Sequence, residues 1–326
     1  MVQSQHLKSL HTQLLAWVCN LNLIVASSSP LAKPLVSLLQ QSKTHKLLAI
    51  ITNPDKPIGR GQKIEPNSLA AWASDEKIKT YKPSNDSELL NVINELSPQL
   101  VITIAFGKII PEQLLSIPEF GWINVHFSIL PKWRGAAPVQ WAILSGEKTS
   151  GISIFKLDKG MDTGPIYLTH EVVLDSKAKS DEVLLALSDI AAAKTLECLE
   201  LIHAQKEPYS QPINGASIAP KFTKNDGQID WQKSADSIYN LYRAISHNPG
   251  VWTNFNEQRL KIDSLRVLDV EQNLKVGEVL INDESFFVGT GMGAIEILRL
   301  TPAGRNQMSA GEFIRGLTKR TGLYLG

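Results

Sequence analysis

Asn124, Val125 and His126 lie in an apolar run, WINVHFSIL at 122–130, and two of the three can do chemistry. If the run is a strand, positions i and i+2 share a side, so Asn124 and His126 project together while Val125 packs behind. An amide and an imidazole side by side can hydrogen-bond one developing oxyanion. Spacing alone leaves a plainer reading open, in which a polar pair closes a strand and bonds to loop backbone. A second group lies in DKGMDTG at 158–164, where Gly160 and Gly164 flank Asp162. An aspartate held in such a loop could face His126, stabilise its imidazolium form and order a water for proton transfer. It could equally be the acceptor of an Asx-turn. Between them, SILPKWRGAAP at 128–138 reads as a loop punctuated by Pro131, Gly135 and Pro138, running into a helix near Val139. Its Lys132 and Arg134 suit a carboxylate or phosphate, or merely solvate a connection.

The sequence holds no G-x-S-x-G, no G-x-G-x-x-G and no metal-ligand cluster, so covalent, dinucleotide and metal mechanisms have little support. An Asn–His–Asp set suits direct attack of an amine on an activated acyl carbon. Asn124 would hold the carbonyl oxygen, His126 would stabilise it and move protons, and Asp162 would tune His126. One oxyanion donor is worth about 3–4 kcal/mol and acid–base help about 10²–10⁴-fold.

Positioning these groups falls to alternating strands and helices. Apolar runs at 21–27, 46–52, 99–106, 122–130 and 151–157 read as strands, and 30–39 and 87–96 have helical spacing. QLVITIAF at 99–106 is nearly all apolar, as in a strand covered on both faces. This βαβ rhythm implies an α/β, Rossmann-like, mostly parallel sheet whose site lies outside the carboxyl ends of its strands. A helical stretch at 180–204 follows, then QKEPYSQPINGASIAPKFTKNDG at 205–227, rich in Pro, Gly, Asn and Gln, which reads as a linker. After a helix at 234–245, short strand-like runs (RLKIDSLRV, GEVLIN, SFFVGTG, AIEILRL) predict a small, OB-like β-barrel. The expected division is an extension at 1–20, a catalytic domain at 21–204, a linker at 205–227 and a barrel at 228–326.

With a net charge of +1 over 326 residues there is no global basic field, so a nucleic-acid partner would need a local patch. Cys19 and Cys198 stand in unrelated settings, which fits two buried hydrophobes in a reducing compartment and no disulfide or zinc framework. Residues 1–54 carry Lys8, Lys33, Lys43 and Lys46 and no acid, a transit-peptide-like bias, but the run at 14–26 is broken by Asn20 and Asn22. The expected setting is the cytoplasm, with an organelle as the minor alternative.

Taken together, Asn124-x-His126, SILP at 128–131, WRGAAPVQ at 133–140 and GMDTG at 160–164 resemble the formyltransferases that use 10-formyltetrahydrofolate. The resemblance implies that Asn124, His126 and Asp162 are catalytic. It also implies that Ser128, Ile129, Leu130 and Pro131 form the folate stretch. Phe106, Gly107 and Ile110 would line the pterin pocket, largely through backbone, as would the 158–162 loop. The formyl donor is then a co-substrate and no metal is implied. Three features resemble the branch whose acceptor is initiator methionyl-tRNA. TNPDKPIGRGQKIEP at 52–66 is similar to its tRNA-engaging loop and carries Lys56, Arg60 and Lys63. WRGAAPVQ is close to that branch's segment, and the third feature is APKFTKNDGQIDW at 219–231, with NPG at 248–250 and MSAGEFIRG at 308–316, similar to its linker and tRNA-contacting barrel. Two positions depart from the family: SSSPLAKP replaces a Gly-Thr-Pro type turn, and Phe127 stands where a small residue is usual. The barrel region, 208–326, holds 13 Lys and Arg against 12 Asp and Glu, so any grip on RNA must come from a clustered face. A monomer is expected. The alternatives are a sugar-nucleotide amine formyltransferase, a formyltetrahydrofolate hydrolase using the same triad and a water, and an RNA-binding protein with a vestigial pocket.

Overall fold

The computed structural model describes residues 20–58, 61–268 and 274–326. The expectations for Cys19, for Arg60 and for the extension up to residue 19 lie outside them. The chain divides into two compact units. One holds the described residues up to 126 with 152–170 and 187–214; the other holds 127–151, 171–186 and the described residues from 215 to 326.

Strands β1 (Asn22–Ser27), β2 (Lys46–Ile51), β3 (Lys56–Ile58), β4 (Lys63–Glu65), β5 (Thr80–Tyr81), β6 (Leu100–Ile104), β7 (Trp122–His126), β8 (Thr149–Lys156) and β9 (Ile166–Val173) make up the first two-thirds. All but β3 and β4 join one sheet in the order β5-β2-β1-β6-β7-β8-β9. The pairs β1–β2, β1–β6, β2–β5 and β6–β7 are parallel, and β7–β8 is antiparallel. The strand order reverses beside β1, so a crevice opens outside the carboxyl ends of β1 and β6, where sheets of this kind hold ligands. Every residue of β6 is buried, as its apolar run predicts. Helices α1 (Lys33–Gln41), α2 (Ser68–Asp75), α3 (Asp86–Leu96) and α4 (Glu112–Leu115) connect these strands. In α3 the Asn85 side chain caps the Glu88 N–H, and Leu89, Val92 and Ile93 pack into a core with Val101 and Trp122. Each such side chain stabilises the unit by roughly 1.5–3 kcal/mol. Cys198 is buried in this unit, and burial pushes its thiol up to about 12. It stays protonated and behaves as a small hydrophobe.

Three expectations are corrected. The run at 122–130 stops being a strand at His126, where pairing with β8 ends (His126 opposite Ser153) and residues 129–132 close a turn, Lys132 N–H to Ile129 O at 3.1 Å. The 52–66 segment is not all loop: β3 and β4 form a hairpin with Lys56 opposite Glu65. Strands of three residues with a proline show no alternation to read. The helix expected at 30–39 begins as a 3-10 turn, Pro30–Ala32, before α1. Serines serve the departing SSSP turn: Ser27 Oγ accepts the Ser29 N–H at 3.1 Å and Ser29 Oγ the Leu31 N–H at 3.3 Å.

The second unit contains α5 (Pro138–Leu144) and α7 (Ala235–Ile245), with α6 (Ser180–His203) between them in the chain. Its sheet comprises β10 (Val251–Phe255), β11 (Gln258–Val267), β12 (Glu278–Asn282), β13 (Ser285–Gly289), β14 (Ala294–Pro302), β15 (Met308–Ser309) and β16 (Leu323–Tyr324), and α8 (Ala310–Arg315) follows β15. These strands pair antiparallel in the order β10-β11-β14-β13-β12-β16, with β15 on β14. The Gly326 N–H reaches Asn254 O on β10 at 3.1 Å, drawing the two sheet edges together into a half-barrel. Ile262, Phe286, Val288, Ile295 and Ile297 fill it. Residues 205–227 carry only a 3-10 turn, Asn225–Gly227, yet they are tied down. Ala219 exchanges main-chain hydrogen bonds with Arg134 (2.7 Å) and Ala137 (3.1 Å). Gly135 is required at this crossing: its φ is +124° and a Cβ would meet Ala219 O at 2.8 Å.

Candidate active site

The groups singled out at the end of β7 come together in the first unit. Thr103 of β6 lies in register with Asn124 of β7. Its hydroxyl sits 2.9 Å from both Asn124 Oδ1 and Ile123 O, so the amide is held on the sheet face. Val125 is buried behind it. His126 is 5% exposed and stands edge-on to the Phe155 ring, with centroids 6.5 Å apart at 82°. Its Nδ1 faces Asp162 Oδ2 at 3.7 Å, an ion-pair distance that a hydrogen bond would shorten on ligand binding.

The loop that presents Asp162 is locked by its neighbours. Asp158 fills an Asx-turn role: its Oδ1 accepts the Gly160 N–H at 2.9 Å and the Thr163 hydroxyl at 2.7 Å. Asp162 itself has φ +54°, a left-handed conformation that Asp tolerates better than most residues. Gln211 Nε2 donates to both Asp162 O and Gly164 O at 2.8 Å, fixing the loop from 47 residues away or more. At Gly164 a Cβ would stand 1.7 Å from Lys156 O, whose own N–H is bonded to Pro165 O at 2.9 Å. Gly164→Ala therefore forces the backbone to move. It should destabilise the protein by about 3 kcal/mol, the upper range of overpacking, seen as a lower urea midpoint; an unchanged midpoint would show that the loop yields freely.

The other expected site residues divide by environment. Phe106 and Ile110 are buried in the core cluster with Leu114 and Trp122, so their side chains serve packing. The backbone there differs: Ala105 (φ +45°) and Gly107 (φ +71°) are exposed and left-handed, turning main-chain groups outward. Asn53 Nδ2 donates to Phe106 O at 3.2 Å, while Asn53 Oδ1 is buried with no partner among the described residues. An orphaned acceptor beside an exposed backbone edge fits a ligand rich in N–H donors, such as a pterin. In the second unit, Ser128, Leu130 and Pro131 are buried and Ile129 is partly exposed; Ser128 Oγ donates to Lys132 O at 2.6 Å. Phe127 is buried too. Lys132 does not offer a spare charge, since its Nζ pairs with Glu147 at 3.0 Å. Lys56 and Lys63 are exposed on the β3–β4 hairpin, Lys63 near Glu65 at 3.4 Å. Thr103, Asp158 and Gln211 escape sequence reasoning: a lone hydroxyl in an apolar strand, a turn aspartate and a distant glutamine carry no recognisable spacing.

Comparison with known proteins covers nearly the whole chain. The family described as formyl transferase matches residues 20–196, and the formyl transferase C-terminal domain matches 221–318. A methionyl-tRNA formyltransferase of Salinispora arenicola is 34% identical over 310 residues, spanning 94% of this chain and all of that protein. Among solved structures, HypX from Aquifex aeolicus in complex with tetrahydrofolic acid aligns at TM-score 0.65 and 16% identity, over 93% of this chain and 50% of that one. An N-formyltransferase from Helicobacter canadensis, in complex with folinic acid and dTDP-3-aminofucose, aligns at TM-score 0.63 and 20% identity, over 84% and 98%.

Proposed function

This chain belongs to the formyl transferase family, and on that premise we propose that it moves a formyl group from 10-formyltetrahydrofolate to the α-amine of initiator methionyl-tRNA. The observation that carries the chemistry is one sheet end with Asn124 and His126 on a common face and Asp162 beside His126 Nδ1. The folate, when bound, supplies an activated formyl carbon. Asn124 directs its amide at the carbonyl oxygen and stabilises the negative charge that develops there. His126, its Nδ1 steadied by Asp162, supports that charge and takes the proton released by the attacking amine. Residues 105–107 would bind the pterin through main-chain groups, aided by Asn53 Oδ1. The 128–131 stretch, which follows His126 in the chain, is assigned to folate by its resemblance to the family segment.

The acceptor reading rests on the full-length relative and on the exposed lysines of the β3–β4 hairpin. Arg60 at its tip is assigned the same role from the sequence. Lys56→Ala/Lys63→Ala should raise KM for methionyl-tRNA and reduce the log–log salt slope by roughly 0.7 per lysine if both meet unpaired phosphates. An equal rise in folate KM would instead make the hairpin a folate element. We place the reaction in the cytoplasm, carried out by a monomer whose domains follow the division at 204–228; among the described residues no helix is long and apolar enough to cross a membrane. The test is formyl transfer from 10-formyltetrahydrofolate to charged initiator methionyl-tRNA, with uncharged tRNA and a nucleotide-linked amino sugar as parallel acceptors. Transfer to the charged tRNA alone supports the proposal. Transfer to the sugar, the reading favoured by the Helicobacter alignment, or folate deformylation without acceptor would keep the triad and reject the acceptor.

A further inference from the structure

A cavity of about 590 Å³ opens at the amino ends of β1, β2 and β5. These strands run parallel to β6 and β7 through the sheet, so this rim is opposite the carboxyl ends where His126 lies. Lys43, Lys46, Lys77 and Lys79 line it together with Ser42 and His45. Only Lys79 has a carboxylate close by, Glu95 at 3.5 Å; among the described residues Lys43, Lys46 and Lys77 have no acidic partner. Lys79 Nζ is held by Glu95 and lies over the Tyr81 ring at 4.9 Å, but the charges of Lys43, Lys46 and Lys77 on the same rim repel each other unless an anion sits among them.

The histidine is the second, independent sign. His45 is 6% exposed, and its Nδ1 is buried without a hydrogen-bond partner among the described residues. Its Nε2 faces Glu200 at 3.8 Å, too far for a hydrogen bond. We propose that this cavity is a binding site for a multiply charged phosphoryl anion, with the lysines supplying the charge and His45 forming part of the wall beside it. Burial holds the empty imidazole below its ordinary range, opposed by Glu200 and reinforced by His203, so a bound anion raises it. Several lysines spread along one rim match a chain of phosphates, and lysine binds phosphate as a point charge without demanding a fixed plane. Such a chain comes either from a free polyphosphate or nucleotide, or from successive phosphodiesters of RNA.

The test titrates tripolyphosphate, and separately a short single-stranded RNA, into the full chain at low salt, reading histidine ring resonances by NMR and affinity by calorimetry. His45 signals should move, and Lys43→Ala/Lys77→Ala should weaken binding at least about tenfold, with turnover at saturating substrates unchanged. The pattern with tripolyphosphate alone identifies a free polyphosphate as the source, and the pattern with RNA identifies phosphodiesters. Binding that moves only His126, binding unaltered in the double variant, or no binding of either ligand overturns the proposal. Both lysines are exposed, so the variant keeps its fold.

Discussion

Replacing Asn124 by alanine is expected to lower kcat by about 10²–10³-fold, a loss of roughly 2.7–4 kcal/mol of transition-state stabilisation. In the proposed mechanism the amide is the neutral donor aimed at the developing charge, and Thr103, in register with it, holds it on the strand face. Truncation leaves the carbonyl oxygen without that donor. Folding should be affected little, because the Thr103 hydroxyl keeps Ile123 O as a partner at 2.9 Å. Steady-state kinetics and urea unfolding separate the two effects. A fall in kcat with KM and the urea midpoint near wild type is the expected pattern; turnover within a few-fold of wild type would remove Asn124 from the mechanism.

His126→Ala should cut kcat by at least about a hundredfold, in the range of lost acid–base catalysis. His126 is the only ionisable side chain on this strand face, and Asp162 steadies it at 3.7 Å. Added imidazole should restore part of the rate. In the proposed mechanism Asn124 and His126 stabilise one charge together, so the double variant should lose far less than the product of the two single losses. Simple multiplication would mean that they act in separate steps. Wild-type turnover in His126→Ala would refute the assignment outright.

How legible these groups were in the sequence depended on the range of the interaction. Asn124 and His126 could be paired from spacing because a strand's period of two is local. The apolar run of β6 announced a strand buried on both faces, and each βα alternation announced the parallel sheet, since burial patterns are written in consecutive residues. The barrel likewise showed as short apolar runs between turns. The β3–β4 hairpin was too short and too charged to show any period, and the end of β7 depended on where β8 stops pairing.

What the sequence determined by itself was the repertoire: an amide, an imidazole and a carboxylate in order, a βαβ frame to carry two of them, and a glycine-flanked loop for the third. What only the tertiary structure decided was how Asp162 is held facing His126. Asp158 and Asp162 sit in one loop with equal claims by type. Asp158 is consumed by the Gly160 N–H and the Thr163 hydroxyl, while Gln211, distant in the chain, grips the backbone around Asp162 and leaves its carboxylate near Nδ1. Thr103 beside Asn124, and Lys77 and Lys79 on the rim that His45 lines, belong to the same class. Strand pairing and chain return bring them together across dozens of residues, and no local period records such a meeting.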